Sequence, residues 1–257
     1  MKIWKRLSMG KEISDFKKRG FSLAETLITI GLIGMIATMT YQVLSVTVRD
    51  KTTTASLKKT YSTLQQALLT AVAENGPVDS WGISMEPGFG GEKVLLHNIA
   101  KHLNTVKICE EGKGCYPNRT YKNIDGSPYV NWNILSDRSA AILADGTMIM
   151  FNTSSASNVS DFGQIYVDIN GAKPPNQVGI DFFYFYIFNN TLIPSGAPAR
   201  YGTEYFIKHC IQNAGFACAA WVVYNGNLDY LYCNDLTWEG KHQCKYTEKL
   251  LKYLFGL

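Results

Sequence analysis

The chain has 257 residues, of which 46% are hydrophobic and 18% are charged, and its formal net charge is +4. This composition excludes a disordered chain and is typical of one large or two small folded domains. Residues 1–20 carry a net charge of +5, whereas the remainder carries −1. The excess positive charge therefore belongs to the N-terminal tip, and a nucleic-acid partner inferred from the overall charge is disfavoured.

A basic run at residues 17–19 is followed by a long apolar segment. Residues 26–48 contain no formal charge, and Arg49 ends this segment. About 20 apolar residues span the core of a bilayer. A secretory signal peptide is disfavoured, because the apolar segment is long and no small-residue cleavage site follows it. We expect the segment to cross a membrane, with the basic residues holding the N-terminus in the cytoplasm.

Glu25 lies at the beginning of this apolar segment. A carboxylate within or at the edge of a bilayer costs roughly a few kcal/mol, and such a residue indicates a function by default. The simpler interpretation is that Glu25 lies at the level of the lipid headgroups and stays hydrated. The neighbouring residues decide between the two interpretations.

The sequence around Glu25 reads KRGFSLAETL. It resembles the N-terminal motif of type IV pilins and type II secretion pseudopilins, which is a basic leader ending in glycine, a hydrophobic residue, a glutamate at the fifth mature position and an apolar helix. The resemblance covers residues 17–48. It implies that a prepilin peptidase cleaves after Gly20 and that Phe21 becomes the N-methylated first residue.

The resemblance further implies a structural subunit of a type IV pilus-like filament. Cleavage creates an amine on Phe21, and Glu25 would pair with the amine of a neighbouring subunit, which offsets the cost of an isolated carboxylate in an apolar environment. The expected partners are other pilin or pseudopilin subunits, the prepilin peptidase, an inner-membrane assembly platform and, before assembly, the lipid bilayer. The chain would begin as a single-pass protein of a bacterial inner membrane and end in a periplasmic or extracellular filament.

Apolar residues recur three or four positions apart beyond residue 48 and stop at Asn75-Gly76-Pro77, which predicts one helix from about Phe21 to about Glu74. The resemblance implies the pilin-like ladle, an α+β fold in which this helix packs on an antiparallel sheet. The expected divisions are a cytoplasmic leader at 1–20, a transmembrane and stalk helix at 21–76, and an extracytoplasmic globular domain at 77–257.

In the globular part, the sequence pattern predicts a short amphipathic helix over residues 92–103 and a strand hairpin around Asp145-Gly146. The sequences GQIYVDIN and DFFYFYIF predict further strands. Four consecutive antiparallel strands packed on the apolar stripe of the long helix are the simplest arrangement. The last part of the chain predicts short helices broken by Gly215 and by Asn225-Gly226.

Asp168, Asn170 and Asp181 bring oxygen-bearing side chains to one loop, in a segment that resembles many pilin-like domains. Calcium accepts such ligands, and some pseudopilins bind calcium in a loop. The spacing is not that of an EF-hand, however, and capping of turns by these side chains is the favoured interpretation. No other cofactor is expected.

All six cysteines lie beyond the predicted long helix, and an even number there indicates disulfides. Sequence alone does not fix the connectivity, but short loops close most easily. The expected pairs are Cys109–Cys115, Cys210–Cys218 and Cys233–Cys244. The alternative is zinc bound by the last four cysteines with His209 or His242, which is disfavoured because none of these cysteines forms a C-x-x-C motif.

No catalytic motif is present in the sequence, and we expect the chain not to be an enzyme. The alternative to a structural subunit is a minor pilin or pseudopilin that acts as a binding, adhesion or secretion module at a filament tip. The many Tyr and Trp residues of the C-terminal third favour that alternative, although core packing explains them as well. A third hypothesis, a plain membrane-anchored domain, predicts no N-terminal processing.

Overall fold

The structure is a computed structural model that describes residues 22–86, 88–135, 137–153 and 161–255. The expected leader, including Gly20, and the expected first mature residue, Phe21, lie outside these described residues. The chain divides into two compact units, Met1–Ser45 and Val46–Leu257.

Helix α1 runs over Leu23–Asn75, so the helix expected from the apolar periodicity is confirmed over nearly its whole length. Gly76 follows it with a φ of +80°, a conformation that glycine adopts readily, and Pro77 cannot continue the helix. In the described parts of the chain, no helix combines the length and the apolar content that crossing a membrane requires.

The portion of α1 in the first unit carries many exposed large apolar side chains. They are Leu23, Leu27, Ile28, Ile30, Leu32, Ile33, Met35, Ile36, Tyr41 and Leu44. Exposure of this many large apolar side chains on one segment is uncommon in a soluble monomer and indicates a surface that meets another apolar phase or partner.

The second unit contains a six-stranded sheet in which each strand pairs antiparallel with the next along the chain. The strands are β1 (Thr105–Cys109), β2 (Ser139–Leu143), β3 (Met148–Asn152), β4 (Asp161–Asp168), β5 (Phe182–Phe188) and β6 (Thr191–Pro194). The expectation of four strands is therefore too low. The two additional strands, β1 and β6, lie at the sheet edges, where each needs only one neighbour.

Shorter helices surround the sheet. They are α2 (Gly91–Ala100), α3 (Pro198–Tyr201), α4 (Thr203–Phe206), a π-helical turn at Ile207–Ile211, α5 (Ala219–Asn225) and α6 (Tyr246–Phe255). Three 3₁₀ turns complete the described elements, at Val78–Trp81, Trp132–Ile134 and Asp229–Leu231. The α+β class is thus confirmed.

One face of the sheet packs on the second half of α1. Leu57, Leu64 and Leu68 of α1 are fully buried in the same core as Phe183 and Phe185 of β5. These leucines belong to the predicted apolar stripe, whose burial is confirmed. Apolar burial of this kind stabilises by roughly 25 cal/mol per Å² removed from water.

The opposite face of the sheet carries an aromatic cluster. Phe182 lies at its centre, with its ring 5.5 Å from that of Trp132 and 5.1 Å from that of Tyr121. The rings of Tyr166 and Tyr184 complete the cluster from the neighbouring strand positions. The segment between β1 and β2 supplies Tyr121 and Trp132, and it therefore covers this face and gives the domain a second core.

Candidate functional site

The beginning of α1 forms a capping box. The backbone N–H of Ser22 donates to Glu25 Oε2 at 2.8 Å, and the backbone N–H of Glu25 donates to Ser22 Oγ at 3.2 Å. This reciprocal pair of hydrogen bonds is the S-x-x-E pattern that satisfies two backbone donors at a helix N-terminus. The four-residue pattern SLAE is the sequence signal from which this cap could be predicted.

The capping box gives Glu25 a role within its own helix. Replacement of a capping side chain typically costs about 1 kcal/mol of helix stability. Such a role accounts for a glutamate at this position in the uncleaved chain without any neighbouring subunit. The intersubunit role expected from the resemblance must therefore be distinguished from capping by experiment.

The loop between β4 and β5 brings together the three residues considered for calcium. Asp168 Oδ2 accepts a hydrogen bond from the hydroxyl of Tyr121 at 2.5 Å, and Asp168 Oδ1 accepts one from the backbone N–H of Asn170 at 3.3 Å. Asp181 Oδ2 accepts from the backbone N–H of Asn176 at 2.8 Å, and its Oδ1 accepts from that of Gln177 at 2.6 Å.

In this network the two carboxylates accept hydrogen bonds from the turn itself. Each of the four carboxylate oxygens of Asp168 and Asp181 already faces an N–H or O–H donor. Asn170 also turns its amide nitrogen to Asp181, at 3.1 Å from Oδ2. A calcium ion takes six to eight oxygen ligands, so an ion at these carboxylates would compete with the donors that the turn already provides. The geometry agrees with turn capping, the favoured interpretation of the sequence.

Calcium is therefore expected to leave the thermal stability unchanged. The melting temperature of the purified full chain, measured by differential scanning fluorimetry in excess EDTA and in excess calcium chloride, should agree within the error of the method. A calcium-dependent rise that Asp181→Asn abolishes would contradict this prediction and show a calcium site in this loop.

The two carboxyl groups of this loop are buried close to each other. Burial, and secondarily the charge of Asp181, raises the pKa of Asp168 well above its ordinary value of 3.8. Burial likewise raises the pKa of Asp181. Asp168 also faces the buried phenol of Tyr121. The folded protein therefore holds a proton on this loop at pH values where the unfolded chain has released it.

Raising the pH above about 4 is expected to lower the free energy of unfolding, because the unfolded chain ionises Asp168 first while the folded chain retains the proton. The loss is at most about 1.4 kcal/mol per pH unit for one group. Asp168→Asn should flatten this pH dependence, as measured by urea denaturation at several pH values. An unchanged slope in the variant would show that Asp168 does not hold the proton.

Arg49 and Asp50, which follow the uncharged segment, are both anchored by one tyrosine of the C-terminal region. The hydroxyl of Tyr232 donates to Asp50 Oδ2 at 2.7 Å and accepts from Arg49 Nη2 at 2.9 Å. Arg49 and Asp50 also form an ion pair at 3.0 Å. No local sequence pattern predicts this contact, because Tyr232 is far away along the chain.

The three predicted disulfides are all present, and none of the six cysteines is free. In the described part of the chain, one group of side chains has the geometry to hold a metal, namely Cys233, Cys244 and Glu248. Since both sulfur atoms belong to a disulfide, they cannot act as thiolate ligands for zinc. His209 and His242 instead lie against aromatic rings, those of Tyr205 and Trp221.

No protein-family model, no curated protein and no solved structure matches this chain.

Proposed function

We propose that the chain is a structural subunit of a type IV pilus-like filament, processed by a prepilin peptidase after Gly20 and assembled through its N-terminal helix. The observation that carries the proposal is the sequence KRGFSLAE followed by the uncharged residues 26–48. A basic leader, a glycine, an aromatic residue and a glutamate five positions into the mature chain form a specific combination, and each element has a physical role in this function.

Exposed apolar side chains on the first part of α1 support the proposal. Ile28, Ile33 and Ile36 each keep more than half of their surface exposed. Before assembly, lipid would cover these side chains, with the basic leader on the cytoplasmic side. In the filament, helices of neighbouring subunits would replace the lipid, and apolar contacts would hold the polymer together.

Glu25 supplies the register of assembly in this proposal. Cleavage after Gly20 gives Phe21 a cationic amine, which pairs with Glu25 of an adjacent subunit. A carboxylate left without such a cation in an apolar environment is strongly disfavoured. A subunit inserted at the wrong height along the filament therefore leaves a charge unpaired, and the correct height is selected.

The disulfides also support a location outside the cytoplasm. Three disulfides within about 140 residues are characteristic of proteins that fold in an oxidising compartment. The predicted topology places the whole globular part in that compartment after insertion of the apolar segment.

Mass spectrometry of the N-terminus tests the proposal. The chain purified from the membrane fraction of its own host, or of a host that carries a prepilin peptidase, should begin at Phe21 with one added methyl group. The same chain made without the peptidase should retain residues 1–20. A mature chain that begins at any other residue would overturn the proposal, and Gly20→Val, which should block cleavage, serves as the matched control.

A further inference from the structure

A polar cavity of about 540 Å³ lies in the second unit, on the side of the C-terminal helices. One wall is the turn from Asn123 to Ser127. A second wall is the end of the π-helical turn with residues 212–214, and the third consists of Tyr230, Asn234 and Lys252. Its volume falls in the range of about 300–1,000 Å³ that is typical of small-molecule sites.

The walls of the cavity are held in place independently of any ligand. The backbone N–H of Ile124 donates to the carbonyl of Ala214 at 3.1 Å, which joins the first wall to the second. Gln177 donates its amide to the carbonyls of Asn123 and Ile124, both at 2.9 Å. Cys210, at the base of the second wall, is bonded to Cys218. A rigid frame of this kind lowers the entropic cost of binding.

Hydrogen bonds between neighbouring residues fix the direction of the polar side chains in the first wall. Ser127 donates to Asp125 Oδ1 from its backbone N–H at 2.9 Å and from its hydroxyl at 2.6 Å, which orients the carboxylate. The amide nitrogen of Asn123 donates to Ser127 Oγ at 3.0 Å. The buried Asn123 Oδ1 has no hydrogen-bond partner among the described residues. A buried acceptor without a hydrogen-bond partner carries a desolvation cost.

The second and third walls add amide side chains. Gln212, Asn213 and Asn234 line the cavity and are exposed. An amide side chain both donates and accepts hydrogen bonds, as does every hydroxyl group. The second wall also includes a π-helical turn, and such turns occur frequently at functional sites.

We propose that this cavity binds a neutral saccharide, one or two rings of a longer glycan. A ring that carries adjacent hydroxyl groups offers paired donors and acceptors to the amide side chains and to the carboxylate of Asp125. Ile124 and Ile211 supply apolar surface for the C–H face of a sugar ring.

The charge balance of the lining argues against other ligand classes. Among the described lining residues, the ammonium of Lys252 is matched by the carboxylate of Asp125, so an anion would meet as much repulsion as attraction. The lining is more polar than that of the apolar-lined pockets which bind drug-like molecules. A saccharide satisfies both conditions, because it is neutral and its hydroxyl groups bond to a polar lining.

This inference goes beyond filament assembly and does not depend on it. All lining residues belong to the second unit, whereas the assembly motif lies in the first. A chain that begins at Phe21 but binds no sugar would leave the filament proposal intact, and a sugar-binding chain without N-terminal processing would leave this inference intact.

The test uses the full chain, labelled with a fluorophore and solubilised in a mild detergent. It is applied to an array of neutral trisaccharides of glucose, galactose and N-acetylglucosamine, with sialylated and sulfated trisaccharides as charged probes. The best neutral probe is then titrated by isothermal calorimetry. The double variant Gln212→Ala, Asn234→Ala is expected to bind it roughly tenfold more weakly, because two hydrogen bonds are lost.

The matched control is Gln66→Ala, which removes an exposed amide from α1 at a position that does not line the cavity, and its affinity should equal that of the unmodified chain. The isosteric variants Gln212→Glu and Asn234→Asp, which keep the side-chain shape, serve as a second measurement and should also weaken binding. The proposal is overturned if no neutral trisaccharide binds, if only the charged probes bind, or if the cavity variants bind as the control does.

Discussion

Replacement of Glu25 by glutamine is expected to leave the beginning of α1 intact and to remove the chain from filaments. Glutamine at this position also forms a capping box, so the hydrogen bonds with Ser22 can persist. The substitution therefore removes the negative charge and keeps the cap. If the charge pairs with the amine of a neighbouring Phe21, the amount of chain in sheared filaments should fall by about tenfold or more, since a buried charge left without its partner costs about 3–5 kcal/mol.

Sheared filaments and the membrane fraction, compared by quantitative immunoblotting, provide the measurement. The variant chain should accumulate in the membrane fraction. Glu74→Gln is the matched control: it removes an exposed carboxylate near the other end of the same helix, where the ion pair with Lys101 is exposed and contributes little. Its incorporation should equal that of the unmodified chain.

Ser22→Ala is the complementary test, because it weakens the helix cap and leaves the charge of Glu25 in place. It removes the hydroxyl that accepts the Glu25 N–H and retains the charge, at a cost of about 1 kcal/mol to the helix start. This variant should still assemble. If Ser22→Ala prevents assembly and Glu25→Gln does not, Glu25 acts as a helix cap, and the charge-pairing mechanism is wrong.

The elements that the sequence predicts well are those whose signals are local. The end of α1 follows from Gly76-Pro77, which no helix continues through, and the β2–β3 hairpin follows from Asp145-Gly146 between two apolar runs. The disulfide pairs follow from loop length. Each of these features is decided by residues within about a dozen positions of one another, so tertiary context does not override it.

The edge strand β1 shows what local patterns miss. Its residues TVKIC do not alternate between buried and exposed positions, since Val106 and Ile108 are exposed along with Lys107. Only its pairing with β2, more than 30 residues away, makes this segment a strand. With a single neighbouring strand and one bulge between Thr105 and Lys107, burial along β1 does not follow the period of two that its sequence shows.

The polar cavity was beyond sequence analysis for the same reason. Its walls come from residues 123–127, 210–214 and 230–252, and no motif relates these segments. The calcium hypothesis shows the converse limit of sequence analysis. The sequence correctly predicted that Asp168, Asn170 and Asp181 share one loop. Whether such side chains bind a metal or cap a turn depends on the direction of each donor and acceptor. Only the folded geometry defines that direction.

Phe182→Ala is expected to destabilise the globular unit by about 3–5 kcal/mol, the usual cost of truncating a buried phenylalanine. The Phe182 side chain is fully buried and lies at the centre of the second core. Its ring contacts those of Tyr121, Trp132 and Tyr184 with edge-to-face or stacked geometries. Such aromatic pairs contribute about 0.5–1.5 kcal/mol each beyond the burial of their area.

Thermal and urea denaturation of the full chain, followed by the near-ultraviolet circular dichroism of its Tyr and Trp residues, measure the effect. Phe89→Ala is the matched control, because the Phe89 side chain is 70% exposed and its loss should change stability by no more than about 0.5 kcal/mol. Phe182→Leu, which retains most of the volume, should lie between the two. Equal stability of the Phe182→Ala and Phe89→Ala variants would mean that the aromatic face does not form a second core, and that the β1–β2 segment covers the sheet without stabilising it.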